Sequence, residues 1–352
     1  MSAQRCAAAI TFLCLLSGCI PYKTPLLIPG NGQYPGLIQA DDADVVLVHG
    51  MCTHAGSWAI ESIDQMRVSL GMRFEDEPRI WWEHKGVQVW QATLSGDSHP
   101  TAVTAYAVVW SGVTEPHKKQ LCYDAKTEQG KCETSPTAPS RAHLNSMLKS
   151  RLVSDCLSDA VLYMSEFGAT IRERVALALM KIGDEGRSHP DNLYVITESL
   201  GSKILADVLA EYSARPSIRN ALSAPAAVYM AANQIPLLDL GSTRSESGAL
   251  ESKSFPTVQK LRQGFEAVVG KKAADEIPFV LFSDPNDVLT YEFEKPLLDK
   301  YTTNVRIGAA RNFWIFANPI QAHTGYLQRP WVWKEIVRGR PERSDDRNQQ
   351  GK

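Results

Sequence analysis

"NLYVITESLGSKILADVLA", Asn192 to Ala210, opens as a β-branched, aromatic and apolar run, turns at "TESLGS" and continues with helical periodicity. The pattern predicts a buried strand handing over to a helix across Lys203–Tyr212, with Ser199, Leu200 and Gly201 at the turn between them. Ser and Gly are common punctuation where strands become helices. A sharp strand-to-helix turn can also lift a serine oxygen clear of a sheet, where it is free to react. The surrounding chain decides between the two.

Outward from this stretch, strands and helices alternate. "DVVLVHG" (Asp44–Gly50) is a continuous apolar run, as in a parallel strand covered on both faces. "SWAIESIDQMRVSLG" places Ile60, Ile63, Met66 and Leu70 at helical spacing. Strands are expected at about Val87–Leu94 and Tyr106–Trp110, then at "AAVYMAANQ", "IPFVLFSD" and "TNVRIGAA". Leu157, Val161, Met164, Gly168, Ile171, Val175, Ala178 and Ile182 predict one long amphipathic helix. Polar stretches at 112–150 ("CETSPTAPS") and 236–275 ("GSTRSESGALESKSF") read as insertions, the first as a long loop. The expectation is an α/β fold over 44–336, its mostly parallel central sheet flanked by helices on both faces. Ligands would bind at the carboxyl ends of its strands.

The chemistry follows from chain order. Of eight histidines only His323, in "NPIQAHTGY", follows Ser199. "SDPNDVLTY" supplies Asp284 and Asp287 just after a buried strand. Asp-Pro-Asn is a turn in its own right, and Asp284 is the residue that Pro285 restricts. The chain from about Asp44 to Tyr326 resembles the α/β-hydrolase superfamily, whose triad runs Ser, then Asp or Glu, then His. The resemblance implies Ser199 as nucleophile, His323 as base and Asp287 as the acid, since an aliphatic pair follows Asp287. It also implies that "VLVHGMC" is an oxyanion loop, with the N–H groups of Met51 and Leu200 as donors. His49 is then expected as a buried histidine tying loops together. Thr197 departs from the pattern by replacing the first Gly of G-x-S-x-G. "YMAANQIPLL", "FSDPNDVLTY" and "NPIQAHTGY" also resemble segments of a bacterial branch of the superfamily.

At 352 residues and 44% hydrophobic content the chain can bury one large core. A formal net charge of −2 gives no footprint for nucleic acid. "GNGQYPG" has no preceding strand and is no dinucleotide fingerprint, and neither C-x-x-C nor H-E-x-x-H occurs. No cofactor or metal is expected. "MSAQRCAAAITFLCLLSGC" carries one Arg and a short apolar run, which fits a signal peptide over 1–18. "LSGC" resembles the bacterial lipobox and implies lipidation of Cys19, a periplasmic address and a membrane anchor, with the outer membrane favoured. Residues 19–43 read as a tether and 337–352 as a disordered tail. Cys52, Cys122, Cys132 and Cys156 then remain, allowing three disulfide connectivities; Cys122 and Cys132 bracket a loop that a local bridge would staple.

The functional expectation is a serine hydrolase that cleaves a small-molecule or lipid carboxylic ester. An acyltransferase on the same triad and a catalytically silent scaffold that acts as a binding lipoprotein are the alternatives. Trp58, Trp81 and Trp82 either line an apolar pocket or serve as packing.

Overall fold

In the computed structural model, the residues described are 26–27, 32–97, 100–124, 140–142, 145–146, 148–240, 256–294, 301–307, 312–313, 316–317 and 319–340. The apolar run after the tether forms strand β2 (Ala43–Val48), buried along its whole length. Its alternate residues serve two cores. Val45 and Leu47 pack with Trp58, Ile63 and Met66 of helix α1 (Gly56–Leu70). Val46 and Val48 face the opposite way, toward Ile171 and Val175 of α4 (Gly168–Lys181) and Ile204 and Val208 of α5 (Gly201–Tyr212). A period of two on a strand between two helical layers produces this division.

Eight further strands complete the sheet: β1 (Leu26–Leu27), β3 (Arg73–His84), β4 (Val87–Ser95), β5 (Ala102–Val109), β6 (Leu193–Glu198), β7 (Pro225–Ala231), β8 (Phe279–Ser283) and β9 (Thr302–Arg306). Their order is β1-β9-β8-β7-β6-β2-β5-β4-β3. From β9 through β5 all pairings are parallel, while β1, β4 and β3 pair antiparallel. This is the architecture of the α/β-hydrolase fold. The chain leaves β2 toward β5 and returns to its other side at β6, so a topological switch point lies at the carboxyl ends of β2 and β6.

Several expectations are corrected. Strand β3 was not anticipated: "RFEDEPRIWWEH" is a mostly exposed edge with Pro78 and charges, and its pairing slips at irregularities. Edge strands carry such residues because they deter further pairing, which erases the apolar signal. The long helix over 157–182 is broken at 165–167, and its expected core positions Val161 and Met164 are 70% and 59% exposed. The first insertion begins as helix α2 (Ser111–Lys118) rather than as a loop. The second contains α6 (Pro256–Val269), whose Val258, Leu261 and Phe265 are buried. Tyr34–Pro35, assigned to the tether, pairs with Gly339–Arg340, assigned to the tail, and Leu37 is buried in the core. The signal segment, Cys19, Cys132 and residues 341–352 lie outside the described residues.

Candidate active site

Strand β6 ends at Glu198 and α5 begins at Gly201, which leaves two residues to make the turn. Ser199 meets this demand with φ 53°, in the left-handed region that side chains disfavour. Its N–H bonds the Ala231 carbonyl at the end of β7 at 2.8 Å, which holds the strained residue in place. The elbow presses on the loop after β2. A Cβ on Gly50 would lie 2.5 Å from both the Glu198 oxygen and the Ser199 Cβ, and one on Gly201 would lie 2.7 Å from the Val48 and His49 oxygens. Only glycine fits either position. Thr197 is tolerated because its hydroxyl turns toward α5 and bonds Ser202 at 2.7 Å.

Ser199 Oγ is 2.9 Å from His323 Nε2. His323 Nδ1 is 2.9 Å from Asp287 Oδ2 and 3.1 Å from Oδ1. The carboxylate also accepts the Leu289 N–H at 3.0 Å and the Tyr326 hydroxyl at 3.2 Å. These donors compensate a nearly fully buried charge. Asp284 instead accepts the Asn286 N–H at 2.8 Å and its side-chain amide at 3.0 Å, an Asx turn. Tyr326 links the two halves of this loop, since its hydroxyl also accepts the Asp284 N–H at 2.7 Å.

His49 is buried and stacked on Trp110, with ring centroids 4.9 Å apart. Its Nε2 accepts the N–H groups of Trp110 at 2.7 Å and Ser111 at 3.2 Å, so that nitrogen carries no proton. Nδ1 then holds the proton and donates to the Gly50 carbonyl at 2.6 Å. Burial and neighbouring His54 hold its pKa well below the usual histidine value. It is a neutral loop tie. The Met51 and Leu200 N–H groups have no acceptor among the described residues. Leu200 precedes the first turn of α5, where the helix dipole favours negative charge.

Sequence reasoning missed two neighbours. Gln234 follows β7, the strand beside β6; its Oε1 lies 2.9 Å from Ser199 Oγ and its Nε2 lies 3.4 Å from His323 Nε2. Its place after a neighbouring strand was the available signal. Glu198, beneath the elbow, accepts the Trp58 indole N–H at 2.8 Å. Burial, with help from the Asp287 charge, raises its pKa to about 8. Trp58 is therefore a buried support rather than a pocket wall. Trp81 and Trp82 sit on β3, at the edge of the sheet far in strand order from β6. Cys52 is bonded to Cys156. Cys122 is disulfide-bonded too, and its expected partner Cys132 lies outside the described residues.

No protein-family model and no curated relative matches the chain. Among solved structures it is similar to LpqC, a poly(3-hydroxybutyrate) depolymerase from Bordetella parapertussis, at 13% identity and a TM-score of 0.26. The match covers 74% of this chain and spans 64% of the length of that protein. At that level of likeness, the site's own geometry is what speaks to function.

Proposed function

We propose that the chain is a serine hydrolase that cleaves a carboxylic ester through an acyl-enzyme. One observation carries this reading: a strained elbow serine in hydrogen-bond contact with a histidine whose other nitrogen meets a buried carboxylate. His323 Nε2 takes the Ser199 proton as Oγ attacks the ester carbonyl, then returns it to the departing alcohol. Asp287 keeps Nδ1 protonated and stabilises the imidazolium. The N–H groups of Met51 and Leu200 receive the oxyanion. A water activated by His323 then releases the acid and regenerates Ser199. Anchoring through a lipidated Cys19 is part of the same proposal, and it makes membrane-borne acyl lipids the favoured substrate class.

Ser199→Ala and His323→Ala should each remove nearly all hydrolysis of p-nitrophenyl esters while the fold is kept. Their double variant should lose little more, because residues acting as one unit are not additive. Labelling by a fluorophosphonate probe should disappear in Ser199→Ala. Substantial labelling of that variant would overturn the assignment. Product analysis with added alcohols separates hydrolysis from acyl transfer.

A further inference from the structure

The loop after β2 is fastened at several of its backbone groups. The Gly50 carbonyl is held by His49 Nδ1 at 2.6 Å, and the Met51 carbonyl by His54 Nε2 at 3.1 Å. The Cys52 N–H donates to Asp159 Oδ2 at 2.8 Å and the Thr53 N–H to Asp155 Oδ1 at 3.0 Å. The His54 N–H donates to Ser111 Oγ at 2.9 Å. From Met51 to His54, the Met51 N–H alone has no acceptor among the described residues.

Two of these fastenings, from the Cys52 and Thr53 N–H groups, lead to one distant segment. Asp155 and Cys156 lie in the wide helical turn Leu148–Leu157, and Asp159 lies in helix α3 (Ser158–Met164). Lys118, at the end of α2, bonds Asp155 at 2.9 Å and Asp159 at 2.8 Å. The Asp159 side chain is fully buried, and that of Lys118 is 8% exposed. Cys52 itself has φ 82°, a conformation that persists only where surrounding bonds hold it. Its disulfide to Cys156 and its N–H bond to Asp159 are such bonds.

We propose that Asp159, paired with Lys118, and the Cys52–Cys156 bridge form a clamp that aims the Met51 N–H at the ester oxyanion. Asp159 is thus a positioning residue, acting through the Met51–Cys52 peptide. The proposal rests on the hydrolase reading above. A donor aimed in advance at the developing charge lowers the barrier to acyl transfer but contributes little to ground-state binding. Loosening the clamp should therefore lower kcat and leave KM nearly alone.

The test compares Asp159→Ala, Asp159→Asn and the double variant Cys52→Ser/Cys156→Ser with the wild type. Active sites are counted by fluorophosphonate titration, so that rates refer to folded, reactive Ser199. Asp159→Ala should lose about 10²-fold in kcat per titrated site, the scale of a misplacement of about 1 Å. KM should change by less than about threefold, as expected when an interaction made only in the transition state is lost. Asp159→Asn keeps an oxygen for the Cys52 N–H and should recover part of the loss. Affinity for a trifluoromethyl ketone, whose serine adduct carries an oxyanion, should fall in step with kcat/KM. If Asp159→Ala does not fold, the double cysteine variant tests the clamp from its other side. Unchanged kcat per site, or a rise in KM with kcat intact, overturns the clamp and leaves the hydrolase standing. A wild-type protein that neither titrates nor hydrolyses esters overturns the hydrolase reading, and the clamp with it.

Discussion

Asp284 and Asp287 stand three residues apart on one loop, yet their side chains do different work. Asp287 meets His323, whereas Asp284 closes a turn over Asn286. Asp287→Asn should cut turnover on the order of 10⁴-fold, the size of effect seen when a triad acid is lost and the imidazole adopts the wrong tautomer. Its melting temperature should change little. Asp284→Asn should keep most turnover and lose about 1 kcal/mol, the usual size of one hydrogen bond. Kinetics and thermal melts on the two variants check this, and the reverse pattern would move the acid to Asp284. Glu198 offers a pH test. Its pKa rises from the ordinary 4.5 to about 8 on folding, chiefly through burial. Between these values the folded state keeps a proton that the unfolded state has released, so stability falls as pH rises. Glu198→Gln should flatten this slope in melts from about pH 5 to 8.5. An unchanged slope would show that Glu198 does not hold its proton.

At the scale of elements, the site depends on how closely α5 approaches β2. Gly201 sits in the first turn of the helix, where Ala would ordinarily favour helix by about 1 kcal/mol. A Cβ there lies 2.7 Å from two backbone oxygens, which cannot rotate away as a side chain does. Overpacking of this kind typically costs about 1–3 kcal/mol, so it outweighs the propensity gain. Gly201→Ala should lower the melting temperature and, by shifting the Leu200 N–H, lower kcat as well. A variant of higher stability with full activity would show that α5 can retreat without disturbing the elbow. Gly264 of α6 makes a similar approach: a Cβ there would lie 2.5 Å from Leu209 Cβ on α5. The helix that follows Ser199 is thus packed closely on both sides.

For the whole molecule, described segments that the sequence suggested were tether and tail are part of the fold. The pairing of Tyr34–Pro35 with Gly339–Arg340 and the burial of Leu37 bring the segment after the proposed anchor onto the body of the domain. In the proposal, a lipidated Cys19 would tether this domain to the membrane. Among the described residues no helix is long and apolar enough to cross a membrane. The proposed membrane association comes from acyl chains on Cys19, each buried CH₂ contributing about 0.8 kcal/mol. Cys19→Ala should release the protein from membranes or block its processing, as read by fractionation and by mass analysis of the first peptide. Soluble wild-type protein with no lipid on that peptide would refute the anchor.

Local signals in the sequence were enough for the strand-turn-helix around Ser199 and the buried runs of β2, β7 and β8, while the order Ser, Asp, His was taken from the family resemblance. The local signals depend on periodicity or turn chemistry, which neighbouring residues set among themselves. The preference for Asp287 over Asp284 came from resemblance; in the structure Asp287 lies against His323, while Asn286 donates to Asp284 in a turn of its own. Other features were decided only by tertiary structure. Gln234 reaches Ser199 across 35 residues, Trp58 meets Glu198 across 140, and Asp159 meets the Cys52 N–H across 107. No local pattern marks such partners, since parallel strands bring together segments that the sequence keeps far apart. The exposed β3 and the break before α4 were hidden for a related reason. An edge strand keeps its charges, and apolar spacing runs on through a helix break although Val161 and Met164, just before it, turn to solvent. Periodicity reports what a segment is able to bury; the packed neighbours determine which face is covered.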